Sequence, residues 1–388
     1  MKGRRFNWII SDLLRWMIKF GLESRARLRG QRFYCEALAG RSDYNLTINC
    51  DLTVSCSCQD YDGSGHLGDL NRNSFKEVFF GPVARRFREE LARGRLPIKT
   101  CARCGELRRV AKAEVRAVPP QPAVDSNPAR NAPDGGAAPA GYTLLAGPEP
   151  RLPFRGMLLE NTVRCNLDCL GCDRESAARI RSTKQMELAK LSRMAELVQD
   201  LGLEQLFYLN LGEPFLSPNI GPELAVLREK NPGCRIVIST NGIPLNTDAK
   251  REAAMSASHI FFSVAGVDDD MVFKYERQRS FQKAYDNMKG LVAYRDARGL
   301  SLPVIEWKYL LFNWNDHPRT IERAIQMARD INLDAIAFWP TNNPFYGYSW
   351  RFRFGKLGHV GVESWKGREV ILRKKEKPRS EERGCAKI

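Results

Sequence analysis

Residues 156–172 read GMLLENTVRCNLDCLGC, a short apolar run followed at once by a loop with three cysteines. The run has the length and the bulky apolar residues of a buried strand. Cys165, Cys169 and Cys172 form a CxxxCxxC motif. Three thiolates on one loop can hold three irons of a cubane 4Fe–4S cluster and leave the fourth iron open. An open iron suits binding of a substrate or cofactor, whereas a zinc site or a structural cluster is normally closed by protein ligands.

From residue 153 onward, strand-like and helix-like segments alternate. Six βα-type repeats imply a parallel sheet. Six units are too few for a closed eightfold barrel, so the sequence predicts an α/β fold with an open, partial (β/α)6 TIM-like barrel. Its chemistry is expected at the carboxyl ends of the strands. The predicted strands are 156–163, 205–211, 235–240, 259–265, 303–311 and 334–340, and the predicted helices lie near 186–201, 220–231, 247–257, 279–298 and 318–331.

Three further segments end predicted strands: NLGEP at 210–214, STNG at 239–242 and SVAG at 263–266. Together with the cysteine loop they resemble the motifs of the radical S-adenosylmethionine (radical SAM) superfamily, over roughly residues 153–345. The resemblance implies that the open iron chelates the methionine part of SAM. It also implies that electron transfer cleaves SAM to a 5′-deoxyadenosyl radical, which abstracts a hydrogen atom from the substrate.

The same resemblance implies roles for single residues at the strand ends. NLGEP is similar to the family's GGEP motif, which holds the methionine amino group, although Leu211 replaces the first glycine. Ser263 could reach the ribose or carboxylate, or be an ordinary strand-end hydroxyl. Lys308 could pair with the SAM carboxylate or be solvated, and Gly171 stands where the family usually has an aromatic residue. The residues with implied contacts to SAM are Gly212, Glu213, Pro214, Ser239, Asn241 and Ser263.

A second set of cysteines lies in residues 33–110. The segment contains a predicted hairpin (44–55), one or two predicted helices (74–95) and a CARC sequence at 101–104. It resembles the auxiliary-cluster module of twitch/SPASM radical SAM enzymes, in which four cysteines close a second 4Fe–4S cluster. That module normally follows the barrel, whereas here it precedes it. The ligands favoured by the resemblance are Cys35, Cys56, Cys101 and Cys104.

Other ligand sets stay open for this module. Cys50 and Cys58 are alternates, since Cys56 and Cys58 are predicted to share one face of a strand. A zinc knuckle with Cys56, Cys58, Cys101 and Cys104 as its ligands is a further hypothesis. The chain has 11 cysteines but only four histidines, and none of the histidines has a metal-ligand spacing. An odd cysteine count without a cleavable signal peptide favours metal or iron–sulfur ligation over disulfides.

The net charge of +16 is concentrated at the two ends. Residues 1–32 carry nine basic and two acidic residues, and residues 373–387 carry seven and three. The body is only weakly basic, so a dedicated nucleic-acid binder is not expected. Residues 6–22 predict an amphipathic helix, too short and too charged to span a bilayer. It would lie in a membrane interface or dock on the protein's own barrel.

Composition and motifs together predict five regions. A Pro/Ala-rich linker, expected to be disordered, separates the auxiliary module from the barrel. The regions are a basic amphipathic helix (1–32), the auxiliary iron–sulfur module (33–110), the linker (111–152), the radical SAM partial barrel (153–345) and a C-terminal extension with a basic tail (346–388).

The leading function is a radical SAM enzyme that oxidises, dehydrates or epimerises a sugar-like or lipid-linked substrate. A peptide- or protein-modifying maturase is the alternative, although no leader-binding winged-helix unit is visible, and an electron carrier is a third class. Cobalamin-dependent methylation is disfavoured because no preceding cobalamin domain is visible. The expected partners are a small-molecule or glycan substrate and a reductant such as flavodoxin or ferredoxin. The protein is expected in the cytoplasm, or bound to the inner face of the membrane through the N-terminal helix.

An epimerase would also need a hydrogen-atom donor, commonly a cysteine thiol. Cys234 precedes the third strand and lies at the wrong end of the barrel, so it is predicted to be structural. The candidate donors are Cys50, Cys58 and Cys385.

Overall fold

The computed structural model describes residues 2–44, 46–56, 58, 60–118, 143–152, 155–341, 343–360, 362 and 368–371. Within these described residues, the N-terminal part contains three α-helices and seven short strands. They are α1 (Lys2–Leu28), β1 (Gln31–Cys35), β2 (Thr47–Ile48), β3 (Thr53–Ser55), β4 (His66–Asp69), α2 (Phe75–Phe80), α3 (Pro82–Ala92), β5 (Leu107–Ala111), β6 (Arg116–Val118) and β7 (Thr143–Leu145).

The second part is the predicted partial barrel, with six neighbouring parallel strands. Its elements are β8 (Gly156–Leu159), α4 (Arg174–Ile180), α5 (Leu188–Asp200), β9 (Gln205–Tyr208), α6 (Ile220–Lys230), β10 (Arg235–Thr240), α7 (Asp248–Ala254), β11 (His259–Ser263), α8 (Asp269–Glu276), α9 (Phe281–Asp296), β12 (Val304–Leu311), α10 (Pro318–Asp330) and β13 (Ala335–Pro340). Helix α11 (Trp350–Arg353) and strand β14 (Arg368–Ile371) follow, and β14 pairs antiparallel with β13. The expected fold class is confirmed.

Alternating side chains of β12 show how the barrel is layered. Trp307 and Tyr309 are fully buried on the helix side, where Trp307 contacts Phe281 of α9. The alternate residues Glu306 and Lys308 face the barrel interior, because successive strand side chains point to opposite faces. The carboxylate of Glu306 forms a hydrogen bond with His259 of β11, with 3.0 Å between Oε2 and Nε2. The strand therefore places Lys308 inside, above this polar pair and toward the mouth.

The auxiliary module joins the barrel through its sheet. Strand β2 pairs in parallel with β8, with Thr47 opposite Leu158 and Ile48 opposite Leu159. Strands β3 and β4 continue from β2, so that one ten-stranded sheet runs through both modules. The module is thus held by backbone hydrogen bonds and not only by a linker.

The module's helices follow local capping chemistry. Ser74 and Glu77 form a capping box at the start of α2, in which Ser74 N donates to Glu77 Oε2 at 2.6 Å. Gly81 ends that helix and Pro82 starts α3. The predicted helical segment 74–95 is therefore two helices, since proline lacks the N–H that a continuous helix needs.

Two boundaries differ from the prediction. The predicted linker at 111–152 contains strands β6 and β7, which pair antiparallel, and Leu145 is buried. The linker is therefore limited to the residues between these strands, and its expected disorder falls on 119–142, outside the described residues. Cys56 and Cys58 follow β3 rather than lying on it.

Among the helices that the structure describes, none is long and apolar enough to cross a membrane.

Candidate functional site

The three cysteines of the CxxxCxxC loop lie at the barrel mouth, between β8 and α4. The loop is folded by its own contacts, since Leu167 N donates to Cys165 Sγ (3.4 Å) and Cys172 N donates to the Cys169 carbonyl (3.2 Å). Burial raises the pKa of Cys165 to about 11, and the nearby Cys172 and Glu213 raise it too. Cys165 and Cys172 are thus close enough to repel each other as thiolates, and a cationic centre beside them would stabilise both.

Glu213 of the second motif is buried and connects two strand ends. Its carboxylate accepts hydrogen bonds from Thr240 Oγ1 (2.8 Å), the Asn241 amide (2.7 Å) and the Phe215 amide (3.1 Å). Burial raises its pKa to about 7 and these hydrogen bonds oppose the rise. Both oxygens are therefore engaged within the protein, and contact between Glu213 and SAM stays a prediction.

Gly212 is placed where no side chain fits. A Cβ atom there would lie 1.9 Å from the Thr162 carbonyl oxygen and 3.0 Å from that of Arg164. The next residue, Glu213, donates its amide to the Arg164 carbonyl at 2.8 Å. Glycine thus lets the second strand end pack against the start of the cysteine loop. Pro214 follows, buried in a single 3₁₀ turn.

Asn241 brings the third motif to the cysteine loop. Its side-chain amide donates to Asn166 Oδ1 at 2.9 Å and contacts Cys165 Sγ at 3.8 Å. Ser239 lies half-buried on β10, and Ser263 lies opposite Lys308 in the pairing of β11 with β12. The structure therefore gathers all the predicted SAM-contacting residues at neighbouring strand ends, around one loop.

Asn343 is a site residue that the sequence pattern did not reveal. Its side chain donates to the Gly171 carbonyl at 2.6 Å. A Cβ atom at Gly171 would lie 2.6 Å from the Asn343 carbonyl oxygen. The segment after β13 therefore occupies the space next to the loop in which an aromatic side chain at position 171 would stand.

The four favoured cysteines of the auxiliary module come together. Cys35 ends β1, Cys56 follows β3, and Cys101 and Cys104 lie at a 3₁₀ turn. Burial raises the pKa of each thiol, to about 12 for Cys101, and nearby thiols raise those of Cys35 and Cys56 further. The four thiols therefore lie near one another, and their shared cluster stays a prediction.

The alternates occupy other positions. Cys50 is buried against the barrel, where its thiol donates to the Thr183 carbonyl at 3.3 Å. It is thus held in the interface between modules, which corrects its assignment as an alternate ligand. Burial lowers the pKa of Lys308, and the nearby Glu306 and Cys58 oppose that fall. Cys58 itself is half-buried. Cys234 is buried directly before β10, and Cys385 lies outside the described residues.

Both cysteine sets suit an iron–sulfur cluster. In the described part of the chain, no three His, Cys, Asp or Glu side chains are placed to share a single metal ion. A cubane takes each thiolate on a different iron, so its ligands stand further apart than those of one zinc ion. The donors are all thiols, which are the ligands that such clusters use. The residues present therefore fit two clusters, one with three ligands and one with four.

A buried arginine adjoins the auxiliary set. Arg88 is 7% exposed and lines a small cavity together with Cys35. Its guanidinium donates to the carbonyls of Leu38 (3.0 Å) and Phe79 (2.8 Å). Within the described ranges no carboxylate forms an ion pair with it, and the Cys35 thiolate raises its pKa while burial lowers it to about 10. The guanidinium thus places a fixed positive charge beside a predicted cluster ligand.

Two family profiles match the chain. The profile of the radical SAM superfamily matches residues 159–300, and that of SPASM, an iron–sulfur cluster-binding domain, matches residues 35–105. The SPASM match ends before the radical SAM match begins. The curated proteins contain no sequence match to the chain.

Solved structures with a similar fold include three proteins. One is anSMEcpe with bound AdoMet and Cp18Cys peptide (14% identity, TM-score 0.40, 54% of this chain and 60% of that one). Another is BtrN in complex with AdoMet and 2-DOIA (19%, 0.27, 34% and 51%). The third is TsrM from Kitasatospora setae, a methyltransferase with cobalamin and a [4Fe-4S] cluster bound (13%, 0.37, 47% and 36%). The chain spans about half the length of such proteins.

Proposed function

We propose that this chain, a member of the radical SAM superfamily with a SPASM domain ahead of its barrel, abstracts a hydrogen atom from a sugar-like or lipid-linked substrate. The outcome would be oxidation, dehydration or epimerisation. The two domains imply one 4Fe–4S cluster that binds SAM, SAM itself, and one auxiliary 4Fe–4S cluster.

The protein's own residues divide the work at the barrel mouth. Cys165, Cys169 and Cys172 would hold the first cluster, which when bound supplies the electron for SAM cleavage. Asn241 fixes the cysteine loop to the third strand end, and Gly212 allows the second strand end to approach it. Ser239 and Ser263, near the ends of β10 and β11, would offer hydroxyls to SAM. Cys35, Cys56, Cys101 and Cys104 would hold the auxiliary cluster.

The substrate class rests on one feature of the mouth, the pair of Lys308 and Trp339. Lys308 Nζ lies 4.7 Å from the ring centroid of Trp339, and that ring is 40% exposed. In the described residues Lys308 has no carboxylate within ion-pair distance. A lysine beside an accessible aromatic face can hold a phosphate or carboxylate while the ring stacks on a sugar. These properties support a phosphorylated or acidic sugar over an apolar peptide side chain.

Cys58 is the remaining candidate for a hydrogen-atom donor in the described part. It is half-buried beside Lys308, whereas Cys50 is 1% exposed. We therefore assign donation to Cys58 if the reaction is an epimerisation. If Cys58 has no such role, the substrate radical would lose its electron to the auxiliary cluster or expel a leaving group. A flavodoxin or ferredoxin is proposed as reductant, in the cytoplasm at the inner membrane face.

Iron counting and SAM cleavage test the assignment. Anaerobically reconstituted protein should bind about eight irons, four for each cubane. Replacing Cys165, Cys169 and Cys172 by alanine should halve the iron and abolish SAM cleavage. Replacing Cys101 and Cys104 should remove the other half and leave SAM bound. The control is Cys234→Ala, a buried cysteine at the opposite end of β10, which should keep both. SAM cleavage that persists in the triple variant would rule the proposal out.

The reaction type needs product analysis in deuterated water. Deuterium entering the product carbon, and lost in Cys58→Ala, would support epimerisation with this donor. Loss of deuterium only in Cys234→Ala would refute the placement of the donor. Modification of a peptide, with sugars left unchanged, would instead establish the maturase alternative.

A further inference from the structure

Helix α1 is attached to the protein by its polar face. Arg15 is buried, donates to the hydroxyl of Tyr61 and lies 3.6 Å from Asp173, the residue after Cys172. Asp12 pairs with Lys99 at 2.7 Å. Glu23 accepts the Leu96 amide at 2.7 Å. The side of the helix that would normally meet water is thus used for docking on the auxiliary module.

The opposite side of α1 is apolar and exposed. Leu13, Trp16, Met17 and Phe20 are 61%, 57%, 61% and 71% exposed. They follow the i, i+3, i+4, i+7 spacing of one helix face. An exposed row of four large apolar side chains on one helix is unusual, because such a face is normally buried against a core or a partner. We call Leu13, Trp16, Met17 and Phe20 the outer stripe.

Positive charge surrounds the outer stripe. Near the end of the helix, Arg27 lies on the same side and lines a cleft of about 280 Å³ with Arg32, Arg93 and Arg95. Arg93 and Arg95 pair with Glu90, at 3.5 and 2.7 Å. In the part of the chain that the structure describes, no carboxylate forms an ion pair with Arg27 or Arg32. In the sequence, the first residues of this helix include Lys2, Arg4 and Arg5.

We propose that α1 lies on an anionic phospholipid bilayer, with the outer stripe in the acyl boundary and the arginine cleft on a lipid phosphate. A convex single helix with an aromatic and aliphatic row and basic residues at both ends matches a flat, negatively charged interface. A protein partner would need an apolar groove with an acidic rim around the whole helix. The proposal depends on α1 and not on turnover, so it can fail while the proposed chemistry stands, and the reverse.

Docking through the polar face also fixes the direction of the site. Arg15 joins α1 to the residue that follows the cysteine loop, and Asp12 pairs with Lys99, which lies in the same 3₁₀ turn as Cys101. A membrane-bound α1 would therefore hold both cluster sites at a set distance from the lipid surface. This deepens the proposed substrate class, because a lipid-linked sugar would be presented in the same plane.

The test is a co-sedimentation assay, in which the reconstituted full chain is mixed with lipid vesicles and the vesicles are pelleted. The probes are vesicles of phosphatidylcholine alone and of phosphatidylcholine with phosphatidylglycerol. Wild type should sediment with the anionic vesicles and much less with the neutral ones. Trp16→Ser/Phe20→Ser should lower the partition coefficient at least tenfold. Arg27→Gln/Arg32→Gln should remove the preference for phosphatidylglycerol and its salt dependence. Iron content and thermal unfolding should stay at wild-type values, because none of these four side chains is buried.

The matched control is Leu300→Ser/Leu302→Ser, which removes two apolar side chains that are 43% and 45% exposed in a loop. It should bind vesicles like wild type. Equal loss in this control, or full binding by Trp16→Ser/Phe20→Ser, would overturn the proposal. So would a wild type that stays in the supernatant with both vesicles, or one that is a dimer in solution and becomes a monomer in the stripe variant, because a second copy would then cover α1.

Discussion

Replacing Arg181 by methionine should loosen the auxiliary module from the barrel. Arg181 and Glu160 form a buried ion pair at 3.2 Å, with side chains 4% and 0% exposed. Arg181 also donates to Asn49 Oδ1 in the hairpin at 2.7 Å. Glu160 accepts from the Cys50 amide (3.3 Å) and from Asn210 Nδ2 (2.8 Å). The pair therefore lies at the junction of β2, β8 and β9.

The size of the effect follows from burial. Removing one partner of a buried pair leaves an uncompensated charge and costs about 3–5 kcal/mol. Opening of the junction should become roughly 150- to 5,000-fold more frequent. Arg181→Met/Glu160→Met removes both charges, so it should cost less than half as much. The control is Arg179→Met on the same helix, whose ion pair with Glu175 is exposed and should be worth well under about 1 kcal/mol.

Native-state hydrogen exchange measures this opening directly. The amides of Leu158 and Glu160 donate to the carbonyls of Leu46 and Ile48 across the junction, both at 2.9 Å. They should exchange much faster in Arg181→Met, near the wild-type rate in Arg179→Met, and at an intermediate rate in the double variant. Wild-type exchange in Arg181→Met, or faster exchange in the double variant than in the single one, would refute the reasoning.

Three other substitutions test single contacts. Burial raises the pKa of Glu276 from 4.5 to about 7. Between these pH values the folded protein binds more protons than the unfolded chain, so its stability falls as the pH rises. Glu276→Gln should remove about 3 kcal/mol of the difference in unfolding free energy between pH 5 and pH 8. Gly212→Ala should weaken SAM binding at least tenfold by equilibrium dialysis, because its Cβ meets the Thr162 carbonyl. Arg88→Gln should lower the midpoint potential of the auxiliary cluster by about 60 mV, a tenfold change for one electron, in EPR-monitored titration. The exposed Arg86→Gln on the same helix should shift it little, and equal shifts would contradict a role for the buried charge.

Much of the barrel could be predicted because its strands are largely buried and separated by regular helices. The third strand was predicted at 235–240 and is observed at Arg235–Thr240. The others differ mainly at their ends, as with the first, predicted at 156–163 and observed at Gly156–Leu159. Short helices such as Asp269–Glu276 were missed, because two turns carry little periodicity.

Other features depend on contacts distant in sequence. The pairing of Thr47–Ile48 with β8 involves only two residues, too few for a pattern. Amphipathicity gave α1 two faces but not which one docks, since the docking partners Tyr61, Lys99 and Asp173 come from three separate segments. The contact between Asn343 and Gly171 joins residues 172 positions apart in the sequence, so no local sequence pattern predicts it.

The ten-stranded sheet also has a consequence for aggregation. An open barrel leaves its first and last strands with unpaired N–H and C=O groups, which invite pairing with another chain. Here β2 covers β8 and β14 covers β13. Because the hairpin that carries β2 precedes the barrel in the sequence, it leaves the ribosome first and can shield the edge of β8 as soon as that strand forms. Because the auxiliary module precedes the barrel, its hairpin can thus protect the exposed strand edge of the nascent barrel from pairing with another chain.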